Sequence, residues 1–305
     1  MSKTGRLGAF TLVCAVWGST WIASSEIEGH CPPFRLAAIR YGIAGALLLL
    51  ISFIKKVPPP NARELAGMLG LGATMIALPF VLFFYAGNGV PAGAIAVLFS
   101  ISPIALALAS SADHGSPISR MAFYATLGGF AGVVLAMAGS FSLSLARLGP
   151  TMAAGSAILS VTASMGFART HLRTVSPLLS AGTQLCAASL LLLAVSVVAE
   201  QGRPTDWTQD SLIALAALSL LGSALALPLF YRLLQVGESY QAAAVEWIQP
   251  LVAVFEGALL LHRRLPSTFF AGVLAVLGCA GILLWDDREH PLSLSFRATG
   301  DTKRY

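Results

Sequence analysis

Long apolar stretches separated by short polar breaks run through nearly the whole chain. A membrane-spanning helix needs about 20 apolar residues, and ten stretches are long enough. The breaks contain turn-forming residues, as in KKVPPPNAR and EQGRPTDWTQD, which end helices. The pattern predicts helices over residues 7–26, 35–54, 64–86, 90–111, 118–139, 151–171, 178–199, 211–235, 239–261 and 267–285.

The composition supports a membrane protein. Hydrophobic residues make up 56% of the 305 residues and charged residues only 11%, whereas soluble domains carry about 25% charged residues. Mean hydropathy is +0.77. We therefore predict a multi-pass protein of the cell (inner or plasma) membrane, with the lipid bilayer as its partner. The residues after Trp285 are polar, and residues 286–305 are expected to be a disordered cytoplasmic tail.

The distribution of basic residues predicts the orientation. If the N-terminus is cytoplasmic, 13 of the 19 lysines and arginines lie on the cytoplasmic side, as the positive-inside rule requires. An even number of spans places the C-terminus on the same side. The net charge of +5 is explained by these loops, so no nucleic-acid partner is expected.

Two halves of the chain share a pattern. Tyr85 and Tyr231 follow phenylalanine in FFYAGNGVP and LFYRLLQVG, and Pro79 and Pro228 lie in ALPF and ALPL. Each half then holds five spans, so the second half enters the membrane from the opposite side. The predicted fold is all-α, with ten transmembrane helices in two inverted five-helix repeats, residues 1–145 and 146–285.

Several short motifs resemble those of the EamA-type members of the drug/metabolite transporter superfamily. The first helix contains WGSTW, the second begins with PPFRLAAIR, and the fourth contains VPAGAIAVLFSISP. The chain departs from the family where a glutamate usually follows the fourth helix of each repeat, because DHGSPIS and LLHRRLPS contain none. The resemblance covers about residues 7–285. It implies a transporter that exports amino acids or other small metabolites.

Four prolines lie inside predicted spans, at corresponding places in the two halves. A proline removes one backbone N–H and frees the carbonyl one turn earlier, and a freed group in a bilayer must be satisfied by protein or by cavity water. Paired helix breaks are a sequence pointer to a transporter's binding site, although prolines also simply bend helices to fit a bundle. The predicted helix breaks are Pro79, Pro103, Pro228 and Pro250.

The ninth span carries two carboxyl groups on one face. At 100° per residue, Gln249, Pro250 and Glu256 fall within 80° of Glu246, whereas Phe255 lies opposite. Charged groups inside a membrane are costly and face partners or a cavity. Glu246 and Glu256 are therefore candidates for proton coupling, and Glu246 also for recognition of a substrate ammonium group. The alternative is an ion pair with a buried arginine such as Arg40 or Arg169.

A stripe of aromatic and hydroxyl groups in the first span predicts a second wall of the same site. Trp17, Thr20 and Trp21 fall on one helical face, and a repeat shift of 147 residues makes Phe99 and Ser100 the equivalents of Glu246 and Trp247. Trp17 also suits a packed position with its N–H on a neighbouring carbonyl. The predicted substrate-binding set is Trp17, Thr20, Trp21, Phe99, Ser100, Glu246, Trp247 and Gln249.

Other functions lack a matching motif. No hydrolase, zinc-protease or P-loop pattern is present, so we predict no enzyme, no cofactor and no direct use of ATP. The four cysteines form no C-x-x-C pair, so no metal site is expected. We predict a secondary transporter that exports small amphipathic metabolites, with amino acids or analogues as the first choice and a monomer allowed. The alternatives are a scaffold or sensor without transport, and a relative for drugs, nucleotide sugars or phosphate esters.

Overall fold

The computed structural model describes residues 3–25, 27, 29–87, 89–114, 119–138, 148–237, 239–260, 262 and 264–285, without side chains at 3, 21–22, 25, 92, 109–114 and 239. Two predictions lie outside these residues. One is the boundary between the halves at residues 145 and 146, and the other is the polar tail 286–305.

Every regular element in the described residues is a helix, as predicted. Two of the helices, α4 and α9, consist of two segments each. The helices are α1 (Lys3–Ser25), α2 (Pro33–Ile54), α3 (Ala62–Gly87), α4 (Ala92–Phe99 and Ser102–His114), α5 (Arg120–Ala136), α6 (Leu148–His171), α7 (Pro177–Ala199), α8 (Gln209–Val236), α9 (Ser239–Ala243 and Val245–Leu260) and α10 (Ser267–Trp285).

Seven of these helices are long and apolar enough to cross a bilayer: α2, α3, α6, α7, α8, α9 and α10. Large apolar side chains such as Leu159, Leu190 and Leu274 are about 70% exposed. Such a surface is unfavourable in water but matches the hydrocarbon of a membrane. The all-α membrane fold is therefore confirmed, whereas the count of ten spans, the inverted repeat and the orientation stay predictions.

Local sequence explains where several helices begin. Pro33 and Pro177 occupy the first positions of α2 and α7, where a helix needs no N–H donor. At the start of α3, the Asn61 side chain accepts from the backbone N–H of Glu64, and the Glu64 side chain accepts from the backbone N–H of Asn61. This reciprocal capping box satisfies two otherwise unpaired donors.

Backbone irregularities lie beside three of the four predicted helix-breaking prolines. α3 contains a π-helical stretch at Gly72–Ala77 and α8 contains one at Leu218–Leu225, and these end shortly before Pro79 and Pro228. α4 is interrupted at residues 100–101, just before Pro103. Pro250 is different, because it lies within a continuous α-helical segment and the interruption of α9 falls at residue 244.

Small residues allow the closest helix pairs to form. α2 packs along α7, and α5 packs along α10. A Cβ added to Gly45 would lie 2.8 Å from the backbone nitrogen of Cys186, and one added to Gly272 would lie 2.5 Å from the carbonyl oxygen of Gly132. Backbones approach this closely only where side chains are small. The Gly128–Gly132 motif thus makes an internal helix contact.

Candidate functional site

The Glu246 carboxylate is buried in the protein without a partner. It lies directly after the interruption of α9, and the residue is only 8% exposed. Among the described residues it accepts no hydrogen bond and forms no ion pair with Arg40 or Arg169. Cys14 of α1 lies within electrostatic range of it. Pro250 also leaves the Glu246 carbonyl without its usual helical donor.

Glu256 lies on the side of α9 that meets α1. Its Oε1 accepts a hydrogen bond of 2.6 Å from the Ser19 hydroxyl, while Oε2 is buried and has no hydrogen-bond partner. α1 approaches α9 closely here, because a Cβ on Gly18 would lie 2.4 Å from the Cβ of Val252 and 3.3 Å from the carbonyl oxygen of Gln249. Both glutamates and Gln249 therefore belong to the α1–α9 contact.

Trp17 joins α1 to α8. Its Nε1 donates to the carbonyl of Gly222 at 2.9 Å, inside the π-helical stretch, and its ring lies 5.1 Å from that of Phe230. The Thr20 hydroxyl donates to the Trp17 carbonyl at 2.6 Å. Trp17 is partly buried, so it combines a packed wall with a satisfied donor. The side chain of Trp21 lies outside the described part of the chain.

The remaining predicted site residues form a second group between α4, α5 and α9. Trp247 is fully buried, its Nε1 donates to the Ser100 carbonyl at 3.0 Å, and a Cβ on Gly129 would lie 2.4 Å from its ring. The interruption of α4 makes that carbonyl available. Phe99 stacks on Phe83 with ring centroids 5.1 Å apart. These contacts give Trp247 and Ser100 a packing role in this conformation.

A partly buried arginine, Arg40, makes contacts that the sequence did not reveal. The Arg40 Nε of α2 donates to the Ser223 hydroxyl of α8 at 2.9 Å. Its guanidinium carbon lies 5.3 Å from the centroid of the Tyr41 ring. An arginine inside an apolar span is the one signal that sequence reasoning could use here, and it does not identify the partner.

A second unforeseen contact closes the end of the bundle where α2 begins and α7 ends. The Glu200 carboxylate accepts from the backbone N–H groups of Phe34 and Arg35 at 2.9 and 3.0 Å, and from the Ser196 hydroxyl at 2.6 Å. Glu200 is 2% exposed. A carboxylate in this position also interacts favourably with the positive, N-terminal end of the α2 dipole, and so stabilises the helix.

Gln184 makes a polar link between α7 and α8. Its Nε2 donates to Ser180 at 2.8 Å within α7, and its Oε1 accepts from the Tyr231 hydroxyl of α8. Both side chains are buried. A paired amide of this kind stabilises helix association in a membrane.

The described residues contain no group of three or more histidine, cysteine or acidic side chains that could hold a metal ion. A small cavity lies elsewhere, between α1, α8, α9 and α10, and is lined by Arg6, Phe10, Leu233 and Gln241 among others. None of the predicted site residues lines it. The side chains of the candidate site offer charge, hydrogen bonding and apolar contact.

A bundle of apolar helices with interrupted segments and carboxyl groups buried within it is typical of a polytopic membrane transporter. The sequence matches the EamA-like transporter family over residues 6–138 and again over residues 147–284. The chain therefore belongs to the EamA-like transporter family, within the drug/metabolite transporter superfamily. It is a multi-pass transporter of the cell membrane.

Named relatives span nearly the whole chain. It is 25% identical to the uncharacterized transporter YvbV of Bacillus subtilis, over 90% of each chain. It is 28% identical to the protein PecM of Dickeya dadantii, over 88% of each, and 25% identical to the uncharacterized inner membrane transporter YedA of Escherichia coli, over 89% of this chain and 90% of that one.

A solved crystal structure has the same fold. It superposes with a TM-score of 0.77 at 17% identity, over 92% of this chain and 96% of the other.

Proposed function

We propose that this protein is a secondary transporter that exports small amphipathic metabolites, amino acids or their analogues first among them. It would work by alternating access, with the two halves rocking around a central site. The observation that carries the proposal is Glu246. Its carboxylate is buried within the helix bundle, has no hydrogen-bond or ion-pair partner in the described part of the chain, and lies just after the interruption of α9.

The proposed architecture is ten spans in two inverted five-helix repeats, with both termini cytoplasmic. The family match supports it, since it occurs twice, once in residues 1–145 and once in residues 146–285. The π-helical stretches support it as well, because Gly72–Ala77 and Leu218–Leu225 lie in the third helix of each proposed half.

The helix contacts also follow the expected two-fold pattern. α1 packs on α8 and α9, and its counterpart α6 packs on α3 and α4. α2 packs on α8, and its counterpart α7 packs on α3. The symmetry exchanges the two members of a counterpart pair, and two such pairs pack directly on each other: α2 with α7, and α5 with α10. A central site would lie where α1 and α9 of opposite halves meet, at Trp17, Glu246 and Gln249.

We assign two roles to the carboxyl groups of α9. Glu246 would bind the ammonium group of the solute, because an unpaired carboxylate is the complementary group for a cation. Glu256 would carry a proton, since its Oε2 is buried without a partner while Oε1 is held by Ser19. A proton on Oε2 removes the cost of a buried charge, and loss of that proton restores it.

Counterflow in liposomes tests the proposal. Purified protein is reconstituted in vesicles loaded with one unlabelled amino acid, and uptake of labelled neutral, aromatic, basic and sulfur amino acids is followed with and without a pH gradient. Glu246→Gln is the test variant. Glu64→Gln is the matched control, because it makes the same chemical change in the capping box of α3, which glutamine also supports.

The expected result is exchange of at least one amino acid by the wild type and by Glu64→Gln, with loss of at least ten-fold in Glu246→Gln. That loss corresponds to one hydrogen bond to a charged group, about 1.5 kcal/mol or more. The proposal fails if folded wild-type protein exchanges no member of the panel. The role of Glu246 fails if its variant exchanges at the control rate.

A further inference from the structure

Arg40 holds a positive charge inside the bundle and uses little of its hydrogen-bonding capacity. Its Nε donates to Ser223 at 2.9 Å. Its four remaining N–H donors, on Nη1 and Nη2, meet no acceptor among the described residues. An arginine has five donors in a planar fork that matches a carboxylate, so the group is suited to bind one more partner.

Neighbouring groups of α8 and α1 surround the Arg40 guanidinium closely. A Cβ added to Gly222 would lie 2.9 Å from Nη2 of Arg40 and 3.0 Å from the methyl group of Thr20. Glycine at this point of the π-helical stretch therefore leaves room for the arginine. Arg40 is only partly buried, and it lies seven residues into α2, about 10 Å along the helix from its first residue.

Arg40 and Glu246 are opposite charges that the fold keeps apart. A Cβ on Gly18 of α1 would lie 3.3 Å from the carbonyl oxygen of Gln249, which follows Glu246 by three residues on α9. Arg40 lies beside Thr20, two residues after Gly18. The two helices run in the same direction here, because the next residue of α1, Ser19, bonds to Glu256 further along α9. At 1.5 Å per residue, these offsets place Glu246 and Arg40 about 7–8 Å apart along the bundle, with Trp17 at a level between them. Two unpaired charges in a membrane interior attract strongly, yet neither is neutralised by the other.

We propose that Arg40 binds the carboxylate of the transported solute while Glu246 binds its amine, so that the preferred solute carries these groups several ångströms apart. This inference rests on the proposed function and specifies its substrate class. The α-amine and the carboxylate of an amino acid share one carbon, so these two groups cannot reach Glu246 and Arg40 at once. A basic amino acid has a second amine at the end of its side chain, and that amine can reach Glu246 while the carboxylate binds Arg40.

Three related solutes separate the two contacts. Lysine carries both the carboxylate and the distal amine, lysinamide lacks the carboxylate, and norleucine lacks the distal amine. Binding is measured by the thermal stabilisation of purified protein across a concentration series, and transport by counterflow in liposomes. We expect wild-type protein to bind lysine about 10- to 100-fold more tightly than either analogue, the ratio for one lost hydrogen bond to a charged group.

The variants assign each preference to a residue. Arg40→Gln should bind lysine and lysinamide equally and still bind norleucine more weakly. Glu246→Gln should bind lysine and norleucine equally and still bind lysinamide more weakly. Arg40→Lys should retain part of the preference for a carboxylate, and this variant tests the Arg40 contact if Arg40→Gln does not fold. Arg63→Gln, an exposed position on α3, is the matched control and should keep the wild-type pattern.

The inference is overturned if wild-type protein does not distinguish lysine from lysinamide, or if norleucine binds as tightly as lysine. It is also overturned if Arg40→Gln retains the wild-type ratio. Exchange of neutral amino acids without any lysine binding also overturns it, while leaving the proposed transport intact. Lysine binding that depends on Arg40, without exchange of any solute, supports the inference and refutes transport. If wild-type protein neither binds nor exchanges any of these solutes, both proposals fail.

Discussion

Replacing Glu200 with glutamine should destabilise the protein by removing a charge that caps α2. The carboxylate accepts three hydrogen bonds, from the backbone N–H groups of Phe34 and Arg35 and from the Ser196 hydroxyl. Glutamine keeps one acceptor oxygen and replaces the other with an NH₂ donor. At least one N–H at the start of α2 then faces a donor and stays unsatisfied.

The expected cost follows from these contacts. A buried donor left without a partner costs about 1–3 kcal/mol, and the lost interaction with the helix dipole adds about 0.3–1 kcal/mol. The total is about 1–4 kcal/mol. Large domains lose about 2–4 °C in Tm per kcal/mol, so the apparent Tm should fall by about 3–16 °C.

Tryptophan fluorescence during a thermal ramp in detergent measures this shift. Glu64→Gln provides the reference, because it makes the same substitution at a capping box that accepts glutamine. The reasoning is refuted if Glu200→Gln melts within about 1 °C of that reference. Such a result would mean that water or a neighbouring group replaces the lost bonds at the start of α2.

Two further changes probe the packing around the site. Gly129→Ala should lower the apparent Tm, because the new Cβ would lie 2.4 Å from the ring of Trp247. Gly155→Ala is the control and should not lower it, because no atom lies within 4 Å of its Cβ. Equal melting temperatures of the two variants would contradict the reasoning. Tyr231→Phe should cost about 1–3 kcal/mol, because it leaves the buried Oε1 of Gln184 without its donor. Thermal melts of that variant check this, and an unchanged Tm would show that the bond contributes little.

Hydropathy predicts where helices lie because the bilayer sets both their length and their composition. The last span was expected at 267–285, and α10 occupies Ser267–Trp285. The seventh was expected at 178–199, and α7 occupies Pro177–Ala199. The fourth was expected over 90–111 with a helix break at Pro103, and α4 is interrupted at residues 100–101, just before that proline. An apolar average does not register which backbone bonds are made, so only the proline signalled this interruption.

A helical wheel places a side chain on a face but does not name its partner. The wheel placed Glu246 and Gln249 on one face of α9, and both lie in its contact with α1. It gave no sign that Trp247 would donate to the Ser100 carbonyl. That bond depends on the freed carbonyl of another helix. For the same reason, the link from Glu200 to the start of α2 was not foreseen, since those groups are about 165 residues apart.

The π-helical stretches explain how two similar halves acquire different chemistry. In α3, a Cβ on Gly72 would lie 2.6 Å from the carbonyl oxygen of Gln184, so the glycine admits the backbone of α7. In α8, the glycine at the corresponding place, Gly222, admits the guanidinium of Arg40 and accepts the N–H of Trp17 on its carbonyl. The same backbone feature therefore serves helix packing in one half and holds a charge in the other. A π turn leaves carbonyls and space that a regular helix closes, and the neighbouring side chains decide how each stretch uses them.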